Sequence, residues 1–206
     1  MVRKKVFASL AVAPIFCKSP QSDLFCFIGA LSQVCYYQAI EDVYERLAQN
    51  IKKSKGENES DATFFDAETP DFWVFHSPYN KLVQKSYGRL FLIDARRRHE
   101  QGDEKKKSNG CDTLAEWLTK PIEETYNDKA LENALKVASA KAYEQRFQYS
   151  NWASKLIGNT YTASVFLGLA SLIDKAGSSG ELSPGKLIGL FSYGSGALAT
   201  MYCLHV

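Results

Sequence analysis

The sequence has few of the features that assign a chemical function directly. It contains only three histidines, and its five cysteines form no Cys-x-x-Cys pair and no grouping with histidine. This scatter excludes the usual zinc-site patterns and favours free thiols in a reducing compartment. No apolar run approaches the length of about 20 residues that a membrane-crossing helix needs. The net charge of +2 is too small to indicate nucleic acid or a membrane surface as a partner.

The composition is that of a globular protein. Hydrophobic residues make up 45% and aromatic residues 13% of the 206 positions, which allows a sizeable core in one large domain or two small ones. Residues 1–29 show no clear period and stay unassigned. Their basic start followed by apolar residues resembles a secretory signal, but Pro14 and the cysteine usage favour the cytosol.

Strands alternate with helices along the rest of the chain, which predicts a layered α/β fold. We expect a helix from Ser32, then a strand that ends at His76, then a helix with Tyr79 on its buried face. Helices over 130–147 and 163–173 and strands over 186–191 and 199–206 complete the pattern. The small residues of the helix over 163–173 predict that it is packed in the centre of the fold. The charged stretch 96–112 predicts an exposed surface insertion.

The segment around His76 is the first candidate site. The apolar run 72–75 stops at His76, which is typical of a buried strand that delivers an imidazole to a cleft. Ser77 can cap the next helix, and Lys81 and Lys85 then lie one turn apart on one helical face. This arrangement suits an anionic ligand held beside a proton-transfer group. The alternatives are a structural histidine and a solvated lysine face.

Two later segments can contribute polar groups to the same site. Asn159 at a turn can present its amide to a substrate carbonyl. Gly194 and Gly196, on either side of Ser195, let backbone N–H groups approach a ligand closely, as an oxyanion or carboxylate site requires. The alternatives are a helix cap at Asn159 and a hairpin turn over 193–196. We expect no metal site.

Three motifs connect these candidate residues to a known family. The segments 75–86, 158–164 and 191–196 read FHSPYNKLVQKS, GNTYTAS and FSYGSG. In this order they resemble hydroxymethylglutaryl-CoA synthase of the eukaryotic type. The segment 121–126, PIEETY, fits the same family.

The resemblance covers most of the chain, from about Gly29 to Val206. It divides the chain into an unassigned segment at 1–29 and a hydroxymethylglutaryl-CoA synthase C-terminal-type domain at 30–206. The family has a thiolase-type fold of two similar halves, each layered α/β/α. The resemblance therefore implies a thiolase-like α/β/α fold that is incomplete and consists mainly of the C-terminal half.

The resemblance also implies a reaction. The family condenses acetyl-CoA with acetoacetyl-CoA to 3-hydroxy-3-methylglutaryl-CoA in the mevalonate and isoprenoid pathway. By this resemblance His76 positions acetoacetyl-CoA and transfers protons, while Lys81 and Lys85 hold the CoA portion, whose phosphates suit ammonium groups. Asn159 and Ser195 would contact the acyl group. The two CoA thioesters are substrates, and no cofactor is implied.

The chain departs from the family pattern in two catalytic segments. The family's nucleophile is a cysteine in an Asn-Ala-Cys-Tyr-Gly-Gly-type segment, its general base is a glutamate further upstream, and neither segment occurs here. Cys35 lacks the flanking glycines and lies on a predicted helix, so we interpret it as structural. We therefore expect a synthase truncated at both ends that is inactive alone.

The alternative is a non-catalytic CoA-binding or interaction protein derived from the synthase. The dimerisation of the family favours a homodimer. The cytoplasm is the expected compartment, with the mitochondrion as the alternative.

Overall fold

The computed structural model describes residues 7–9, 24–55, 65–102, 111–194 and 198–206. The helices are α1 (Leu24–Lys55), α2 (Asn80–Glu100), α3 (Lys129–Phe147), α4 (Asn151–Ile157) and α5 (Ser164–Ser178). The strands are β1 (Phe7–Ser9), β2 (Phe72–Phe75), β3 (Leu187–Gly194) and β4 (Leu198–His205). Short 3₁₀ segments occupy Cys111–Trp117, Ile122–Thr125 and Tyr161–Ala163. None of the helices in this part of the chain carries an apolar stretch that could cross a bilayer.

The strands form one mixed sheet in the order β1-β4-β3-β2. Strand β2 runs parallel to β3, with Phe75 opposite Phe191, while β4 runs antiparallel to both β3 and β1. A parallel pair requires a long crossover. Helices α2 to α5 all lie between β2 and β3 in the chain, so this crossover contains most of the helical layer.

The sheet has helices on both faces. Strand side chains alternate between the faces because their period is two residues. Trp73, Phe75 and Phe191 belong to the larger core, which α1, α2 and α3 complete. Val74 and Leu190 point to the other face and pack in a second core with residues of α5. The predicted layered α/β/α architecture is confirmed.

Helix α5 lies close to the sheet at Gly168. A Cβ atom at this position would come within 2.9 Å of the Val74 Cγ1 atom, so a side chain here would push the helix away. The opposite side of α5 is open, with Phe166 71% and Ile173 52% accessible. The prediction of close packing by small residues is confirmed for the sheet side. The prediction of a central helix is wrong for the described part of the chain, because the other side is exposed.

Helix α1 begins at Leu24, eight residues before the predicted start at Ser32. Residues 24–31 are almost wholly apolar, so the helical period becomes visible only where polar residues appear. From Ser32 onward, apolar residues spaced three and four apart predict a buried face that includes Tyr44 and Leu47, and both are buried. The helix also runs across the boundary predicted between residues 29 and 30, and that boundary stays a prediction.

The charged residues that were predicted to open the surface insertion at 96–112 belong to α2 instead. Helix α2 continues to Glu100. The Arg96 Nη2 atom donates to the backbone carbonyls of Trp117 and Lys120, both at 2.7 Å, and Arg98 pairs with Asp66 at 2.7 Å. A guanidinium reaches such acceptors from a helix because its planar donors sit on a long stem. The residues at 103–110 lie outside the described part.

A buried carboxylate joins α1, α2 and the segment before β2. The Asp94 side chain accepts hydrogen bonds from the Tyr44 hydroxyl at 2.9 and 3.0 Å and from the Ala67 N–H at 2.8 Å. Arg97 lies 3.7 Å away. Burial raises the pKa of Asp94 to about 7, although Arg97 and the hydrogen bonds act in the opposite direction.

We expect Gly189→Ala to destabilise the fold by about 1–3 kcal/mol, because the added Cβ overpacks a filled core. That Cβ would come within 2.3 Å of the fully buried ring of Trp73, the residue opposite Gly189 in the sheet. Gly177→Ala is the matched control. The Cβ added at Gly177 would have no other atom within 4 Å. Because this is an exposed helical position, the substitution should raise the free energy of unfolding by roughly 0.5–1 kcal/mol. Urea denaturation measures both, and equal effects would contradict the packing argument.

We expect Asp94 to make the free energy of unfolding depend on pH. Its pKa is about 7 in the fold and about 4 in an unfolded chain, so folding favours the protonated form. The resulting stabilisation is complete below about pH 4 and is lost as the pH rises to about 7. Asp94→Asn mimics the protonated form without titrating. The stability of the wild type minus that of Asp94→Asn should therefore fall between about pH 4 and 7 and then level off. Urea denaturation across this range tests it, and a constant difference would refute the raised pKa.

Candidate functional site

His76 lies directly beyond the C-terminal end of β2. Its backbone N–H donates to the Phe191 carbonyl at 2.8 Å, which extends the parallel pairing by one residue. Both parallel strands end at this edge of the sheet, and open α/β sheets bind ligands outside the carboxyl ends of their strands. The predicted strand ending at His76 is confirmed, with β2 itself stopping at Phe75.

The His76 imidazole is half-buried, and this burial lowers its pKa below the usual value. The ring is therefore mainly neutral at pH 7. A neutral imidazole carries one N–H donor and one nitrogen acceptor, so it can both hold a carbonyl oxygen and accept a proton. This electrostatic setting fits the predicted proton-transfer group.

Contacts from other elements hold the backbone around His76. The Tyr36 hydroxyl of α1 donates to the His76 carbonyl at 2.7 Å. The Ser77 N–H donates to the Ser164 Oγ atom, at the start of α5, at 2.8 Å. Sequence reasoning missed both residues. Tyr36 was not assigned to the predicted apolar face of its helix, and Ser164 was recognisable only as a small residue.

The predicted helix cap at Ser77 is wrong. The N-cap position of α2 is Tyr79, which has an extended backbone and makes no side-chain capping hydrogen bond. Pro78 and Tyr79 separate Ser77 from the helix, and the backbone of Ser77 bonds to Ser164 instead. Tyr79 was expected on the buried face of the helix, but 42% of it is exposed because it precedes the first turn.

The two candidate lysines lie in different surroundings. Lys81, in the first turn of α2, is exposed and forms no ion pair with any described residue. Lys85 pairs with Glu132 of α3 at 2.9 Å. It borders a cleft whose lining includes Tyr37, Arg89, Tyr126, Glu132 and Lys136. Lys81 is thus available to an anion directly. Lys85 could bind an anion only after its ion pair with Glu132 is broken.

Asn159 lies on an exposed loop between α4 and α5. Its Oδ1 atom accepts a hydrogen bond from the Tyr161 N–H at 2.8 Å and so closes a local turn. The loop is anchored near the start of α2, since the Ser154 hydroxyl of α4 donates to Asn80 Oδ1 at 3.1 Å. The contact with the start of α2 is therefore made by α4, the helix before this loop, while the Asn159 oxygen is engaged in its local turn.

Ser195 lies outside the described residues. Gly194 and Leu198, the nearest described residues before and after it, are paired across the β3–β4 hairpin. Because β3 runs parallel to β2, this end of the hairpin lies at the same edge of the sheet as His76. The elements that carry His76, Lys81 and Asn159 and the end of the hairpin thus meet in one region.

A buried ion pair between α1 and α2 was not foreseen. The Arg89 Nε atom of α2 contacts a carboxylate oxygen of Glu41 on α1, and its Nη atoms donate to Thr125 Oγ1 at 2.9 Å. The Tyr126 hydroxyl donates to the other Glu41 oxygen at 3.0 Å. Burial raises the pKa of Glu41, while Arg89 opposes that shift. The available signal was an arginine within the apolar stretch of residues 87–93.

The fold and the polar edge define the class of protein: a layered α/β domain of the thiolase-like kind, with a histidine at the carboxyl ends of its parallel strands. The family model for "Hydroxymethylglutaryl-coenzyme A synthase C terminal" matches residues 19–206. The chain belongs to the hydroxymethylglutaryl-CoA synthase family and corresponds to the C-terminal region of its members.

Individual relatives agree with this assignment. The chain is 36% identical to hydroxymethylglutaryl-CoA synthase A of Dictyostelium discoideum over 178 residues, which cover 86% of this chain and 34% of that protein. It is 37% identical to the cytoplasmic hydroxymethylglutaryl-CoA synthase of Rattus norvegicus, with 86% and 33% covered. The chain thus spans about a third of the length of the curated relatives it matches.

A solved structure supports the same fold. The structure of MvaS in complex with 3-hydroxy-3-methylglutaryl coenzyme A superimposes with a TM-score of 0.60 at 27% identity, covering 86% of this chain and 36% of that one. The predicted family and the predicted thiolase-like architecture are confirmed.

We expect Arg89→Met to destabilise the protein by about 3–5 kcal/mol, because it leaves the Glu41 carboxylate buried without its cation. The double variant Glu41→Leu/Arg89→Met removes both charges and should recover most of the loss. The exposed pair Arg46–Asp42, at 3.0 Å, provides the control, and Arg46→Met should cost less than about 1 kcal/mol. Chemical denaturation measures all three variants. Similar losses for Arg89→Met and Arg46→Met would show that the buried pair is not essential.

Proposed function

We propose that this chain is the histidine-bearing, CoA-facing part of an enzyme that condenses acetyl-CoA with acetoacetyl-CoA to 3-hydroxy-3-methylglutaryl-CoA, the precursor of mevalonate. The observation that carries the proposal is the position of His76, a mainly neutral imidazole at the carboxyl ends of β2 and β3. An exposed lysine, Lys81, lies in the first turn of the helix that follows. The family membership and the liganded MvaS structure support it.

In this proposal His76 acts on the acetoacetyl group. Its ring N–H can donate to the carbonyl oxygen, which gains negative charge as the new carbon–carbon bond forms. The same ring can hold or pass on the proton that the resulting hydroxyl group needs. Asn159 and Ser195 would contact the acyl group, and the Asn159 amide nitrogen is the donor that its local turn does not use.

The phosphates of CoA would lie over the start of α2. Lys81 offers an ammonium group there that forms an ion pair with none of the residues the structure describes, and the N-terminal end of a helix carries partial positive charge. The first turn of α2 contains no acidic residue to oppose an anion. Lys85 would contribute by exchanging Glu132 for a phosphate oxygen.

Turnover needs two further groups. Acyl transfer through a covalent intermediate requires a thiolate and a base that removes the methyl proton of the acetyl group. Cys35 is buried on α1 and has no glycine-rich surroundings, so we do not assign it this role. We propose that the 206-residue chain binds the CoA substrate by itself without turning it over.

The proposed compartment and oligomeric state are inferred from the same family. The relative from Rattus norvegicus carries the word cytoplasmic in its name. We propose a cytoplasmic protein that forms a homodimer.

We expect the chain to bind acetoacetyl-CoA in calorimetry and Lys81→Gln to weaken binding about two- to five-fold, since exposed charge pairs contribute up to about 1 kcal/mol. The loss should shrink as salt is added, because exposed charges are screened. Lys52→Gln is the matched control with the same change in charge. Lys52 is exposed on α1, about 24 Å along the helix from Tyr36.

The proposal fails if the folded wild type binds no acetoacetyl-CoA. Equal weakening by Lys52→Gln would refute the specific placement of the phosphates, because it would reflect the overall charge alone.

A further inference from the structure

The backbone at His76–Ser77 is fixed from three separate elements. The His76 N–H bonds to the Phe191 carbonyl of β3 at 2.8 Å, and the His76 carbonyl accepts from the Tyr36 hydroxyl of α1 at 2.7 Å. The Ser77 N–H donates to the Ser164 hydroxyl of α5 at 2.8 Å. Three successive polar groups of the main chain therefore each have a partner from a different part of the fold.

Tyr36 is itself rigidly held. Only 1% of the residue is accessible, and its ring makes edge-on contacts with Phe191 and Tyr193 at centroid distances of 5.3 and 5.2 Å. Burial keeps the pKa of its hydroxyl well above the usual value, so the group stays a neutral donor. A fixed ring gives the hydrogen bond to His76 a fixed direction.

These contacts limit where the imidazole can point. A histidine side chain turns about only two torsions once its backbone is held. The two hydrogen bonds of the His76 backbone and the one at Ser77 restrict the dihedrals on either side of the Cα atom. A catalytic group that is misplaced by about 1 Å can lose on the order of 100-fold in rate, so such restraint has chemical value.

We propose that Tyr36 and Ser164 are positioning residues for His76: their hydrogen bonds to the His76–Ser77 backbone hold the imidazole in its half-buried place at the edge of the sheet. Neither residue touches substrate in this proposal, which rests on the proposed role of His76. Tyr36 acts from α1 and Ser164 from α5, so two layers of the fold on opposite faces of the sheet determine the direction of one side chain.

The first test follows the titration of His76 by NMR in the complete chain. The chain has only three histidines, and His99 and His205 are exposed and act as internal references. In the wild type the His76 ring should titrate below about 6.5, the ordinary histidine value. In Tyr36→Phe and in Ser164→Ala the ring gains solvent, and its titration midpoint should rise towards that value.

Tyr44→Phe is the matched control. Tyr44 is a second buried tyrosine on α1, but its hydroxyl binds Asp94 rather than the His76 segment. It should lose stability without moving the His76 titration. The result that overturns the proposal is an unchanged His76 titration in both positioning variants, or an equal shift in Tyr44→Phe. If Tyr36→Phe does not fold, the His76 titration in Ser164→Ala alone decides whether the proposal holds.

The second test separates positioning from the proposed function. Losing one hydrogen bond should weaken acetoacetyl-CoA binding about two- to ten-fold in Tyr36→Phe and leave it unchanged in Tyr44→Phe. If the wild type binds no acetoacetyl-CoA, the proposed function fails, while the titration still decides the positioning. If the titration shifts but a binding-competent chain keeps its full affinity in Tyr36→Phe, the positioning role is refuted.

Discussion

The parallel pairing of β2 with β3 is the contact on which the candidate site depends. It places Phe75 opposite Phe191 and brings the end of β2 beside the end of the β3–β4 hairpin. The segment before α2 and the start of α5 also meet at this edge, since the Ser77 N–H donates to the Ser164 hydroxyl. Gly168 lets α5 approach the sheet closely, and Gly189 leaves room for the Trp73 ring of the neighbouring strand.

Helix α1 stabilises the site from the other side. Its polar side chains contact α2 and the end of β2: Tyr36 binds His76, Glu41 binds Arg89, and Tyr44 binds Asp94. Each removes a polar group from water, so each is favourable only in one alignment of α1 against α2 and β2. The apolar residues between them supply the burial free energy, while the polar contacts select the register of the helix.

The sequence predicted those features that depend on local pattern. The apolar run before His76 and the spacing of apolar residues in α2 and α3 indicated the right elements, and three motifs indicated the right family. It misplaced the cap at Ser77 and the loop at residues 96–98, because Ser164, Trp117 and Lys120 complete those contacts from distant parts of the chain. Pairings of this kind, including Glu41 with Arg89, have no period or spacing that a sequence reveals.

The hydrogen bonds around His76 also set an order of events during synthesis. Tyr36 and Ser164 are separated from their partners by 40 and 87 residues, and Phe191 follows still later in the chain. Contacts between such distant segments form slowly, since long loops must close first. When only the segments up to α2 have emerged from the ribosome, the His76 side chain therefore has no fixed direction. The imidazole becomes oriented only after α5 and β3 have emerged and docked, so its direction depends on segments that are synthesised long after the histidine itself.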